Sequence, residues 1–336
     1  MRHGRLPIAV LAGTLALVGA SLLGATLSDG RAAEEWPART LTMVVPFAAG
    51  GPVDTLGRIL QSHLSDVLGQ QVIIENVSGG GGITGSLRVM QAPPDGYQFE
   101  LGSIGTHAIN QSISAKPAYN AATDFAPVIL VADAPQVLLV RRDLPASNLK
   151  EFIDYVKANH AKMQHGSGGT GTSSHVGCVL LNQEMGVQVT HIPYRGGGPA
   201  LQDLIAGRID YICNYISTGV GALEAKQVKA LATLTMTRAK ALPNVPTADE
   251  QGLKGFDVSA WNAIFMPKGT PAPIVKKVNE AVGKVLDMPT VQKRLDDIGL
   301  IATPPDKRSP EFLGKYVESE IVKWAAPAKA SGATAN

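Results

Sequence analysis

The sequence predicts an α/β fold in two lobes, and three observations carry that prediction. Short apolar runs alternate with stretches at helical spacing, in one series before residue 127 and a second after residue 148, the order that builds parallel sheets. Between the two series, Pro127–Ala132 and Gln136–Val140 are adjacent apolar runs broken by Asp133–Pro135, which reads as a crossing between lobes. Two loops of small residues, Phe47–Gly51 and the stretch Met163–His175, lie far apart in the chain, and each leads into a helix.

The first loop organises the N-terminal series. Thr42–Pro46 is an apolar run suited to a strand covered on both faces, and Pro52 stands where a first helical residue is favoured. Bare backbone N–H groups in such a turn, at the positive end of a helix dipole, form a site for a carboxylate or phosphate. Val53, Leu56, Ile59, Leu60, Leu64, Val67 and Leu68 mark one helix face. Next come a strand at Gln71–Asn76, the loop Ser78–Gly85, a helix ending near Pro93–Pro94, a turn at Asp95–Gly96 and a strand at Gln98–Gly102. Ser103–Asn110 is then a polar loop at a strand's carboxyl end, the side on which open α/β sheets bind ligands.

The second series runs helix Leu149–Asn159, strand Met163–Gly166, helix Ser173–Glu184, strand Val187–Pro193, helix Pro199–Ala206, strand Ile209–Asn214 and strand Ala230–Met236. Val258–Met266 reads as a return strand. Helices at Pro273–Met288, Thr290–Ile298 and Ser309–Ala326 are expected to pack back on the first lobe, before a small polar tail.

With 336 residues, 45% hydrophobic and 17% charged, the chain can bury substantial cores and divides into about two domains. Residues 1–32 are a separate object. Arg2 and Arg5 precede the uncharged apolar run Leu6–Leu27, and small residues follow to Ala33, a signal-peptide pattern with cleavage expected after Ala32. The run is long enough to span a membrane, but its Gly, Ala, Ser and Thr content favours a cleaved leader. Without the leader the chain keeps 27 basic and 27 acidic residues. That balance, with no basic run, lacks the electrostatic footprint of a nucleic-acid binder. Cys178 and Cys213 either pair in an oxidising compartment or stand as buried small hydrophobes, the reading their isolation favours.

The catalytic motifs are incomplete. Gly80–Gly85 fits G-x-G-x-x-G after a strand, yet Glu100, the candidate ribose ligand, falls inside a strand instead of at its end. Gly166–Ser173 resembles a phosphate loop with Thr172 where Lys is required. Ser173, Ser174 and His175 lack a G-x-S-x-G elbow, and helix capping or ligand hydrogen bonding is the better reading of the serines. The histidines show no metal-ligand spacing, so neither metal nor cofactor is expected. His107 after Thr106 is as consistent with a structural as with a ligand-facing role. Asp54, in a first helical turn, reads as structural, and Trp261 as a core or hinge residue.

Taken in order, PFAAGGPVDTLGR (Pro46–Arg58), ENVSGGGGITG (Glu75–Gly85), DGYQFELGS (Asp95–Ser103), GSGGTGTSSH (Gly166–His175) and YRGGGPALQDLIAGRID (Tyr194–Asp210) resemble the motifs of Bug-type receptors, the solute-binding proteins of tripartite tricarboxylate transporters. The resemblance covers nearly the whole chain after the leader. It implies a type II periplasmic-binding-protein fold with a ligand cleft at the hinge, lobe 1 comprising residues 33–133 and 258–336 and lobe 2 residues 134–257. It implies a monomeric periplasmic receptor, not an enzyme, that delivers a small carboxylate to a membrane permease. The ligand classes are aliphatic di- and tricarboxylates, amino acids and aromatic acids. The implied ligand residues are Phe47, Ala48, Ala49, Gly50, Gly51, Ser103, Thr106, His107, Gly168, Gly169, Thr170, Thr172, Ser173 and Tyr194. Gly57 and Arg195 depart from the usual Ala and Lys, and Arg195 is expected at the surface. The competing readings are an exported enzyme acting on a carboxylated substrate and a dinucleotide-binding oxidoreductase.

Overall fold

The opening strand forms as the sequence predicts, Leu41–Val45 (β1), and leads through the small-residue loop into Pro52–Leu68 (α1). Proline occupies the first turn of α1, and Gly69, at φ 68°, takes the left-handed conformation that ends it. Val72–Asn76 (β2), Ile83–Met90 (α2) and Gln98–Ser103 (β3) follow. Where the sequence predicts only loop, Ile104–His107 (α3) is a single helical turn closed by a reciprocal Ser103–Thr106 capping box. Phe125–Ala134 (β4) completes the first series. This computed structural model describes residues 36–114 and 116–330. The expected leader and the last six residues of the tail lie outside the described residues. From Pro37 on, the chain is one unit containing every described strand and helix.

The second series is Gln136–Arg141 (β5), Leu149–Asn159 (α4), Gln164–Ser167 (β6), Ser173–Met185 (α5), Thr190–Pro193 (β7), Gly197–Ile205 (α6), Tyr211–Tyr215 (β8), Ile216–Glu224 (α7) and Val228–Thr233 (β9). Helix α7 has no counterpart in the sequence reading. The return strand is Ala260–Pro267 (β10), followed by Ala272–Leu286 (α8), Pro289–Asp297 (α9), the short Ile301–Ala302 (β11) and Pro310–Ala330 (α10).

Two sheets result, ordered β11-β4-β10-β3-β1-β2 and β7-β6-β8-β5-β9. Within the first, β1 pairs in parallel with β2 and β3, and β10, buried along its whole length, runs antiparallel between β3 and β4. Helices α8 and α10 pack on β4, as expected. The chain passes between sheets at Pro135, whose carbonyl accepts the N–H of Ile216 at 3.0 Å. It returns between Leu234 and Val258, joined by a 2.9 Å backbone bond. Trp261 is 1% exposed at the start of β10, and its indole donates to Glu320 Oε2 at 3.0 Å.

In the second lobe Val137, Leu139, Ile212 and Ile216 belong to one buried cluster under α6 and α7. Cys178 on α5 and Cys213 on β8 are bridged, with Cα atoms 5.2 Å apart. This corrects the favoured reading of two unpaired small hydrophobes. Both are fully buried, but packing helix α5 on β8 brings positions 35 residues apart in sequence to bridging distance.

Candidate functional site

The loop between β6 and α5 is held together by its own polar groups. Ser174 Oγ accepts the Gly168 N–H at 3.0 Å, Ser167 Oγ accepts the Gly169 N–H at 3.1 Å, and His175 Nδ1 accepts the Gly171 N–H at 3.4 Å. Thr172 is the N-cap of α5, accepting the His175 N–H at 3.3 Å, so the capping role weighed for Ser173 and Ser174 belongs to the residue before them. Behind the loop three imidazoles stack. His175 and His191 have ring centroids 3.9 Å apart, and His191 and His165 4.9 Å. Burial pushes the pKa values of His165, His175 and His191 down to about 3, 4 and 2, helped for His165 by repulsion from His175 and for His191 by repulsion from His175 and His165, so all three are neutral at pH 7 and His175 can accept.

The opening loop is anchored in the same way. Asp54 Oδ2 accepts the Gly50 N–H at 2.9 Å and Arg58 Nε at 2.8 Å, while Asn76 Nδ2 reaches Oδ1 at 3.0 Å. Burial alone would raise the Asp54 pKa, but the hydrogen bonds from Arg58, Gly50 and Asn76 outweigh it and hold the carboxylate below its usual range. The Ala48 N–H is also engaged, donating to the Arg195 carbonyl at 2.9 Å across the two lobes. The N–H groups of Ala48 and Gly50 are therefore not the bare donors that the turn implies.

The lobes meet backbone against backbone. A Cβ on Gly81 would stand 2.0 Å from the Thr170 carbonyl oxygen, and one on Gly169 would stand 3.3 Å from Gly81 Cα. The Ser78–Gly85 glycines thus admit the second-lobe loop, whereas Glu100, fully buried in β3, lies within the first lobe instead of at a nucleotide-facing strand end. Between the lobes is a cavity of about 30 Å³, room for about two waters. Phe47, Pro52 and Val53 line it from the first lobe. Gly168, Thr172, Ser173, Ser174, Gly197, Asn214 and Tyr215 line it from the second.

Four of those positions are helix beginnings. Pro52 opens α1, Ser173 opens α5, Gly197 opens α6 and Tyr215 is the N-cap of α7; these helices are 17, 13, 9 and 9 residues long. Each N-terminus carries orphan N–H groups and about half a positive charge, and no lining side chain carries a formal charge. Burial pushes the Tyr215 pKa up to about 12, against the hydrogen bond from Ser173, so its hydroxyl stays protonated.

Of the residues implied by the sequence, Phe47, Gly168, Thr172 and Ser173 line this cavity. Ala48, Gly50, Gly51, Gly169 and Thr170 lie in the seam between the lobes, and Ala49 is exposed at the loop tip. Ser103, Thr106 and His107 are buried and do not line this cavity themselves, although a Cβ on Gly105 would touch both Ser103 Oγ and Thr172 Cα, at 3.4 and 3.3 Å. His107 stacks on Phe265 with centroids 3.6 Å apart, its Nδ1 pairs with Thr106 Oγ1 at 2.9 Å, and burial pushes its pKa down to about 3. Tyr194 turns away to donate to Asp203 at 2.7 Å, while the Arg195 side chain is exposed. The sequence reading did not single out Pro52, Val53, Gly197, Asn214 and Tyr215 as lining residues. Their common signal is position, each standing where a strand or loop gives way to a helix.

A cleft between two α/β lobes, ringed by helix N-termini and joined by crossing strands, defines a two-lobed binding protein. The family model "Tripartite tricarboxylate transporter family receptor" matches residues 56–332, and the chain belongs to that family. Its fold is that of the type II periplasmic binding proteins of the Bug type. The chain is 41% identical to MatC from Rhodopseudomonas palustris, solved with bound malate (87% of this chain, 100% of that one, TM-score 0.84). It is 36% identical to the periplasmic binding protein BugD (89% and 99%, TM-score 0.85). A second R. palustris protein, solved with adipate, is 34% identical (89% and 99%, TM-score 0.85).

Proposed function

We propose that the chain is a periplasmic receptor exported by the leader at residues 1–32. It encloses a small carboxylate between lobe 1 (residues 33–133 and 258–336) and lobe 2 (residues 134–257) and hands it to the membrane permease of a tripartite tricarboxylate transporter. It carries out no reaction and uses no cofactor. The observation that carries this reading is the convergence of the starts of α1, α5, α6 and α7 on one uncharged cavity. At about half a charge each, the four supply roughly two positive charges without a lysine or arginine, which suits a dianion. The malate and adipate found in two relatives support a dicarboxylate. The backbone N–H groups of Ser173 and Ser174, in the first turn of α5, are the proposed holders of the near carboxylate, with Phe47 covering it from the first lobe.

A thermal-shift screen of carboxylic acids tests the reading. An acid at about 100 times its Kd stabilises the folded chain by about 2.7 kcal/mol, a rise of several degrees at about 2 °C per kcal/mol. Ser173→Asp is the control, because a helix N-terminus tolerates the aspartate while its charge repels the ligand. The variant should keep the unliganded midpoint and lose the shift. A methyl ester that shifts the parent as much as the free acid does would defeat the carboxylate reading.

A further inference from the structure

A second cavity, of about 490 Å³, opens at the hinge, a size that suits a small molecule. The first lobe lines it with Asp133 near the end of β4, Ile301 in β11 and Tyr316 on α10, and the chain after β9 lines it with Met236, Arg238 and Lys240. It lies across the crossing strands from the cleft. In the first sheet β11 flanks β4 on one side, while β3, β1 and β2 lie beyond β10 on the other; in the second, β9 flanks β5 opposite β8, β6 and β7. Met236 and Ile301 are 49% and 52% exposed, so each side contributes an open apolar wall. The cations are already engaged: Arg238 Nε donates to both Glu250 oxygens at 3.0 and 2.8 Å, and Lys240 stands 3.5 Å from Asp296. Asp257 accepts the Ser259 N–H and hydroxyl. Asp133, by contrast, has no hydrogen bond or ion pair among the described residues. Burial pushes its pKa up, against the pull of Lys307 and with the repulsion of Glu320, so its charge is unfavourable until a counter-cation arrives.

We propose that this cavity is a second ligand site, which takes an organic cation, an ammonium or guanidinium on a short apolar stem, with Asp133 as its counter-ion, and that its occupancy holds the cleft shut. The chemistry follows from the lining. A cation pairs with Asp133 while its stem covers Met236 and Ile301 and removes their apolar surface from water. A carboxylate in the same place meets Asp133, Asp257 and Asp296, and cations that already have partners. The coupling follows from the topology. The lobes turn about the crossing strands, so opening the cleft on one flank brings Ile301 and Met236 together on the other, and a stem lodged between them opposes that motion. In this structure the seam of the cleft is shut and the hinge cavity is open. A ligand favours the state that binds it better, so the cation raises affinity in the cleft, and the ligand of the cleft raises affinity for the cation by the same factor. This regulation rests on the receptor reading above; the cation site itself does not.

Titration of the purified chain with n-pentylammonium, with no carboxylate ligand present, tests the site. n-Pentanol is the neutral control and ethylammonium the control without a stem. Pentylammonium should bind about tenfold or more tightly than either, and in a chain with isotope-labelled methionine methyls the Met236 signal should move as it binds. Asp133→Asn removes the charge and breaks no hydrogen bond, so it should fold like the parent and lose about tenfold or more in pentylammonium affinity. Small-angle scattering of the chain without carboxylate should show compaction when pentylammonium is added. Pentanol binding as tightly as pentylammonium, or a Met236 signal that stays in place, overturns the cation site, as does a folded Asp133→Asn that binds like the parent. The two readouts on the parent decide by themselves if that variant does not fold. Binding without compaction overturns the coupling to closure. A chain that binds pentylammonium and compacts, yet gives no thermal shift with any carboxylic acid, overturns the receptor reading alone.

Discussion

Gly198 of the second lobe lies so close to Gly50 of the first that a Cβ at position 198 would stand 3.0 Å from both the carbonyl carbon and the carbonyl oxygen of Gly50. Neither lobe can yield by turning a side chain, because the obstruction is backbone. The same seam holds the 2.9 Å bond from the Ala48 N–H to the Arg195 carbonyl. A methyl group at position 198 would force this closed seam to give by a few tenths of an ångström.

Gly198→Ala should separate closure from folding. Position 198 lies in the first turn of α6 and its φ is not positive, so alanine fits the helix and raises its propensity by up to about 1 kcal/mol. The unliganded melting temperature should hold or rise. Ligand affinity should fall by about tenfold to a hundredfold, the effect of about 1–3 kcal/mol of overpacking between the lobes. Calorimetry and small-angle scattering with ligand check this, and undiminished affinity and compaction would show that the bound state does not use this seam.

The Cys178–Cys213 bridge should contribute measurably to stability. Closing a loop of this length, 35 residues, stabilises by about 3–4 kcal/mol in the chain-entropy account. A Cys178→Ser/Cys213→Ser double variant should lose that much in urea unfolding, and reductant should then have no further effect on it. Equal midpoints for oxidised and reduced parent would remove the bridge from the stability argument.

Glu100 should make stability depend on pH. It is fully buried in β3, and burial pushes its pKa up to about 8 despite the 2.8 Å hydrogen bond from Ser86. The folded chain then holds a proton that the unfolded chain has released, so this group's contribution is full below the ordinary carboxylate range and is lost as pH rises through 8. His107, His165, His175 and His191 act in the opposite sense. Burial lowers all four, so their contribution is present above pH 6.5 and is lost on acidification. Glu100→Gln should therefore gain on the parent between pH 5 and pH 8.5 by more than about 1.4 kcal/mol, the worth of one pKa unit. Urea midpoints for both chains across that range check it, and parallel curves would mean that Glu100 titrates normally.

The strand–helix order of both lobes, the crossing at Pro135 and the loops on either side of the cleft are all legible in the sequence, because each leaves a local mark: an apolar run, a helical period, a proline or a cluster of glycines. Helix α7 leaves no such mark. Gly219 and Gly221 interrupt its pattern, and Gly219 is there because a Cβ would stand 2.5 Å from Leu139 on β5, a reason that exists only once the two elements pack. The pairing of Cys178 with Cys213 is of the same kind.

The amino-acid order alone settled the fold class and the family, since these rest on periodicity and on motifs contiguous in the chain. Which groups face the cleft was decided by the tertiary structure. Asp54 takes the Gly50 N–H, Ser174 takes that of Gly168, and His107 turns inward against Phe265. Asn214, by contrast, keeps a donor free at the one place where four helices begin. The physical reason is that a hydrogen-bonding group is available to a ligand only if no other part of the chain has satisfied it, and its competing partners, unlike its neighbours in sequence, are assigned by packing.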